Sequence, residues 1–377
     1  MLLSCGHFCI DLYSSALGAL QPLLAARHSL SLLQAGILGG VLSFSSSVMQ
    51  PFYGYLSDRL PYRGFTVLSP VLAGLFISSL GLAPAFSNLL LLVFLAGVGI
   101  AAFHPQGTAQ AATTLGERRG LAVSIFITSG TIGLSLGPAY YSFLAGWLGI
   151  ENIYWGALPG LLITLVLAVG LPSPPPREPA AGAGFDPAAF RRVWKPMTQL
   201  YLLVVIRSTI QIVFAQFLPL YFHLERGFAV SSASYVLTLF LFGGALGGFL
   251  GGSLADRFGN RPIVVISMAG SIPFLALFLA TGGWISLAGL FIGGTILLFT
   301  VPVNVTMAQD LVPGQSGTVS ALMMGFAWGM AGLIFIPLIG WAADQAGLHT
   351  VLWGVILLPL AGFLLAWKLP AGTPPRR

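Results

Sequence analysis

Gly54-Tyr55-Leu56-Ser57-Asp58-Arg59 closes the second apolar run of this chain, and its pattern returns as Gly252-Ser253-Leu254-Ala255-Asp256-Arg257, 198 residues later. The glycine, the leucine and the Asp-Arg pair keep their places while the residues between them change. Two more landmarks repeat at nearly the same spacing: Pro105 with Pro302 and Gly120 with Gly317, each pair 197 apart. A recurrence of this length has to be settled before any single motif is read. It divides the chain into two similar units.

What each unit is made of follows from composition. The 377 residues are 56% hydrophobic and only 7% charged, with a mean hydropathy of +0.91. A soluble domain carries about 25% charged residues, so this chain lacks the polar surface that water demands. Crossing a bilayer takes about 20 mostly apolar residues in a helix. Twelve such segments fit: 2–26, 32–56, 64–84, 88–112, 119–146, 152–171, 197–223, 231–255, 262–281, 284–309, 316–343 and 349–368. Between the sixth and seventh lies the long polar stretch from Pro172 to Pro196, rich in proline and glycine, ending Phe190-Arg191-Arg192-Val193-Trp194-Lys195. That composition is a linker with a basic and aromatic end suited to a membrane surface. The expectation is an all-α membrane protein: a six-helix bundle at 1–171, a cytoplasmic linker at 172–196, and a second six-helix bundle at 197–377.

The net charge of +6 comes from 16 basic and 10 acidic residues scattered in short loops, with no cluster of the kind that grips nucleic acid. Their distribution orients the chain instead. With the N-terminus inside, the inner loops and tails hold 13 basic residues, the outer loops hold Arg27 and Arg226, and Arg207 falls within a span. Both termini are therefore expected in the cytoplasm, in a multi-pass protein of the cell membrane. The first 26 residues lack a basic leader, and His7 and Asp11 interrupt their apolar run, so they read as a true span and not a signal peptide. Cys5 and Cys9 offer no disulfide framework or zinc spacing and read as small packing residues.

The Gly-x-Leu-x-Asp-Arg loops after spans two and eight resemble the signature of the major facilitator superfamily. The first runs on to Arg63; the second runs on to Gly259-Asn260-Arg261 and is nearer the full pattern. In span five, Gly130-x-x-Gly133-x-x-x-Gly137-Pro138 is similar to the glycine–proline motif of that superfamily's antiporters. Gly6-His7-Phe8-x-x-Asp11 and Phe103-His104-Pro105-Gln106-Gly107 resemble the fosmidomycin-resistance exporter branch. The short N-terminus, with no basic anchor ahead of the first span, departs from that pattern. The resemblance implies two bundles that rock about a central cavity lined by spans one, four, seven and ten. It also implies a cytoplasmic latch at Asp58, Arg59 and Arg63 and, in the second half, Asp256, Arg257 and Arg261. Ordinary capping and charge anchoring would place the same residue types there.

Ionisable groups at membrane depth are costly and normally face a bundle interior or a watery pathway. His7 and Asp11 are four apart on one face of span one. At 1.5 Å per residue, Asp11, His104 and Arg207 all lie roughly 10–15 Å from the inner ends of their helices. Three helices thus bring charge to one level. Asp11 facing His104 and Arg207 makes a proton-coupling site; the rival readings are a permanent Asp11–Arg207 bridge tying the halves together, or no contact at all. His104 itself has two readings, a pathway residue or a hydrogen-bonded core histidine beside a proline kink. It has no counterpart in the repeat, since the equivalent position is Val301. Candidate substrate contacts are Gln50, Tyr53, Gln106, Gln110 and Gln211, each equally readable as a helix–helix hydrogen bond, with Asn304 from span ten and His7, whose other reading is a snorkelling or capping group near the interface. The paired glycines of span eight, at 243–244, 247–248 and 251–252, read as close helix packing.

These features point to a secondary transporter working by alternating access, with protons as the coupling ion, a small and anionic or phosphonate-like substrate, no cofactor and no metal, and a monomer as the working unit. Import of a small organic anion through the same site is the alternative direction. A polytopic enzyme would need a motif such as His-Glu-x-x-His or Gly-x-Ser-x-Gly, and neither is present. A receptor that does not transport is a further rival, and loss of coupled flux on changing Asp11 would separate both from a transporter.

Overall fold

The computed structural model describes residues 1–60, 62–113, 119–172, 187–313 and 315–369, apart from the side chains at 58, 112–113, 119–121 and 316. All regular structure among these residues is helical. Twelve helices are long and apolar enough to cross a membrane. They are Leu2–His28, Leu32–Ser57, Gly64–Leu82, Phe86–Ala111, Ala122–Leu148, Ile150–Gly170, Trp194–Leu224, Val230–Phe258, Asn260–Ala280, Gly283–Leu311, Gly317–Ala346 and Leu348–Trp367, called spans one to twelve below. Each expected segment is present, with ends shifted by a few residues. Span seven starts earlier than expected, at Trp194, because Pro196 falls in its first turn, where the missing amide leaves no bond unmade. The basic segment before it folds as a short helix, Pro187–Arg192. Residues 173–186 of the expected linker lie outside the described residues.

Burial follows the repeat. One apolar cluster draws on Leu3 through Leu171, built around Tyr13, Phe103, Phe126 and Tyr141. Two others draw almost wholly on residues after 197, around Phe214, Phe240 and Phe278 and around Leu203, Met268 and Met323. The repeat also extends to single contacts. Gly54 sits beside Pro105, and Gly252 sits beside Pro302. Arg63 Nη1 donates to the Leu171 carbonyl at 2.7 Å, and Arg261 Nη2 donates to the Trp367 carbonyl at 2.5 Å. In each half, then, a loop arginine closes the end of that half's last helix. Pro105 is part of this architecture and not a local accident.

Several spans are interrupted, and the breaks have identifiable causes. Span one is broken at Ser15, between Leu2–Ser14 and Ala16–His28, where Ser14 donates back to the Asp11 carbonyl at 2.9 Å. Spans two and eleven each contain one π-helical stretch, Phe44–Val48 and Ala321–Phe326. These stretches face each other across the seam between the repeats, a place where such bulges often mark function. The span eight glycines divide: a Cβ at Gly247 or Gly251 would strike the Thr295 or Phe299 carbonyl of span ten, whereas one at Gly248 would meet open space.

Candidate functional site

Span one delivers His7 and Asp11 to the same face, and span four delivers His104 opposite them. Asp11 Oδ2 lies 3.3 Å from His7 Nε2, and Asp11 Oδ1 lies 3.4 Å from His104 Nε2. One carboxylate is thus held between two imidazoles. The three donor atoms fall within 4.8 Å of one another, a spacing that suits a shared small cation. His7 is the buried member, stacked on Phe126 with ring centroids 4.1 Å apart and bonded through Nδ1 to the Phe126 carbonyl at 2.7 Å. The Asp11 and His104 side chains keep 16% and 26% of their surface accessible.

Span five makes room for this cluster. A Cβ at Gly130 would come within 2.6 Å of Asp11 Oδ2 and 2.5 Å of His7 Nε2. Only a residue without a side chain lets span five approach so closely. The expected outcome for Gly130→Leu is loss of coupled transport with normal membrane insertion, read by flux in proteoliposomes alongside thermal unfolding. Wild-type flux would mean that the cluster tolerates displacement and has no part in coupling.

Arg207 meets neither Asp11 nor His104. It is buried in span seven, where Nη1 donates to Gln211 Oε1 at 2.9 Å and the guanidinium lies 5.6 Å from the Trp328 ring centroid. Its Nε has no partner, and among the described residues it forms no ion pair. A permanent Asp11–Arg207 bridge is therefore absent from this conformation. An unpaired buried cation is expensive, and cation–π contact with Trp328 offsets part of that cost. Asn304 of span ten is fully buried with both amide atoms unbonded.

The remaining candidates divide. Gln106 is fully engaged in bracing span three: its Oε1 accepts from Thr66 Oγ1 at 2.6 Å and from Thr66 N at 3.2 Å, and its Nε2 donates to the Tyr62 carbonyl. Gln50 donates to the Ser46 carbonyl beside the π-helical turn, Tyr53 stacks edge-on with Phe52 and Phe65, and Gln110 is half-buried. Of the loop residues, Arg59 lies over Tyr55 and Arg257 over Phe258, while Arg63 and Arg261 are bound within their own halves. No ion pair among the described residues involves Asp256, and the Asp58 side chain lies outside them.

An acidic residue outside the expected site also joins the halves. Asp344, near the end of span eleven, accepts from Leu32 N at 2.7 Å and Leu33 N at 2.9 Å, at the start of span two. Ser31 and Gln34 cap that helix reciprocally, and Asp344 satisfies the next free amides from the other repeat. Gly340 lies against the Leu32 carbonyl, and Gly36 against Ile336 and Pro337, so this end of the seam is closed. A carboxylate at an exposed helix N-terminus contributes about 0.3–1 kcal/mol. Asp344→Ala is expected to open this end, raising the population of the opposite conformation by up to about fivefold. Spin-label distances between spans two and eleven would measure it, and an unchanged distribution would remove Asp344 from the gate.

The sequence profile of the Major Facilitator Superfamily matches residues 3–235 and again 200–377. An uncharacterised MFS-type transporter of Bacillus subtilis, YfnC, is 31% identical, covering 97% of this chain and 91% of its own. The fosmidomycin resistance protein of Escherichia coli is 30% identical, covering 96% of this chain and 90% of its own. Among solved structures, the nucleoside transporter NupG superposes with a TM-score of 0.82 at 14% identity, over 98% of both chains.

Proposed function

The chain belongs to the Major Facilitator Superfamily and is a multi-pass membrane transporter, and from that premise we propose that it exports a small anion in exchange for protons. The observation that carries this reading is the division of charge. Asp11 sits between two histidines in the first repeat, while Arg207 has no counter-ion among the described residues in the second. The first arrangement can gain and lose a proton. The second can bind an acid group of the substrate, which would supply the charge that Arg207 lacks; Gln211 and Trp328 would complete its surroundings.

Alternating access follows from the same layout. Residues 1–171 and 197–377 are the two rocking bundles, joined by 172–196. The excess of basic residues in the inner loops supports a cytoplasmic position for both ends. The seam closed by Asp344 is then the outer one, and the loop arginines form the inner gate when the opposite ends meet. The resistance named for the Escherichia coli relative makes fosmidomycin the first substrate to try. The test is a panel of small phosphonates, carboxylates and neutral compounds offered to proteoliposomes with an imposed pH gradient. Uphill movement confined to acids supports the reading. Transport of neutral compounds only, or flux indifferent to the gradient, would sink it.

A further inference from the structure

We infer that the exchanged proton resides between His7 Nε2 and Asp11 Oδ2, and that the span five backbone fixes it there by setting the tautomer of His7. The inference rests on the proton-coupled reading above and locates its proton.

A backbone carbonyl can only accept. The 2.7 Å contact between His7 Nδ1 and the Phe126 carbonyl therefore requires a proton on Nδ1. In neutral His7 the other nitrogen, Nε2, is then a bare lone pair. It faces Asp11 Oδ2 at 3.3 Å, and an ionised carboxylate is also only an acceptor. Two lone pairs at that distance repel each other unless a cation lies between them. With a proton in that place, His7 is an imidazolium or Asp11 carries the proton. Either way this conformation holds one proton more than a neutral imidazole and a carboxylate would.

His104 does not resolve the conflict. Its Nε2 approaches the other oxygen, Oδ1, at 3.4 Å, and its Nδ1 is buried with no partner. It lies against Asp11 from the far side. The elements packed on His7 bring no further charge among the described residues: Asp11 on its own helix, His104 from span four, and from span five only the Phe126 ring and carbonyl with Gly130. The Phe126 ring stacks on His7 with centroids 4.1 Å apart.

Span five therefore supplies the acceptor that orients His7, the ring stacked on it and the gap at Gly130 that admits the pair. If span one slides on span five during transport, Nδ1 loses the Phe126 carbonyl. The ring is then free to take the other tautomer, Nε2 can donate to Asp11 as a neutral group, and the extra proton leaves. His7 is in this scheme the proton-binding partner of Asp11, a larger role than a contact to substrate.

Nitrogen NMR of histidine-labelled full-length protein in liposomes reads this directly. Carbon labels on the phenylalanine carbonyls identify His7 through its bond to Phe126, without any substitution. The expected result at neutral pH is a His7 ring with Nδ1 protonated and Nε2 sharing a proton. In Asp11→Asn, where the amide can donate to Nε2, a neutral ring protonated only at Nδ1 is expected. A neutral wild-type ring protonated only at Nε2 would overturn the inference, as would a Nε2 signal that shifts on adding a metal chelator. A shared-proton signal unchanged in Asp11→Asn would also overturn it. The outcome is separable from that of the transport assay. A shared proton without proton-driven flux defeats the coupling reading alone, and proton-driven flux with the wrong tautomer defeats this inference alone.

Discussion

Asp11→Asn is expected to abolish uphill transport while leaving downhill exchange intact. Asparagine keeps the size and the hydrogen-bonding reach of aspartate, so span one can still pack on spans four and five. It cannot take or release a proton. With one pH unit imposed and one proton exchanged per molecule, about 1.4 kcal/mol is available, enough for at most a tenfold accumulation. In the variant that ratio falls to one. Counterflow of labelled against unlabelled fosmidomycin, which needs no net proton movement, should continue. Proteoliposomes assayed with and without the pH step separate the two activities. Accumulation equal to wild type would show that coupling resides elsewhere, and loss of counterflow as well would show that Asp11 is needed for substrate movement itself.

Arg207→Gln is expected to weaken binding of an anionic substrate without weakening the fold. Removing one partner of a desolvated charge pair typically costs about 2–5 kcal/mol, or roughly 30-fold and upward in affinity. The empty protein should respond in the opposite sense. Its guanidinium has one protein hydrogen bond, to Gln211, and no carboxylate among the described residues, so replacing it removes an uncompensated buried charge. Thermal unfolding of the unliganded variant should therefore be unchanged or raised, and the stabilisation conferred by fosmidomycin should disappear. Arg207→Lys should fall between the two, since it keeps the charge but loses the planar fork. Retained stabilisation by the anion, or a collapse of the unliganded fold, would show that Arg207 is structural.

The two variants probe opposite halves of one site, and they differ in how far sequence alone identified them. Asp11, His104 and Arg207 are visible in the chain because charge inside an apolar run is rare. Asp11 and His104 do meet. Arg207 does not meet them, although counting along each helix puts all three at one depth. Gln106 was equally conspicuous, yet its amide is engaged by Thr66 and Tyr62. Asp344 was easy to pass over because it stands near a span end, where a carboxylate is unremarkable. Its importance comes from Leu32 and Leu33, more than three hundred residues away in the chain. His7 gains its place from a main-chain carbonyl, which no side-chain pattern reveals.

The sequence by itself determined the membrane class, the twelve spans and the repeat, because each rests on hydrophobicity and spacing along one strand of chain. It determined depth for the same reason, since rise per residue is fixed in a helix. It could not determine which way each side chain turns about its helix axis. One residue of rotational offset swings a side chain by about 100°, and the break at Ser15 and the π-helical stretches in spans two and eleven add offsets of their own. Partners across helices depend on those rotations and on how closely the backbones approach, which here is set by glycines such as Gly130. The tertiary structure alone decided that Asp11 lies between two histidines, that Arg207 stands apart, and that Asp344 holds the seam.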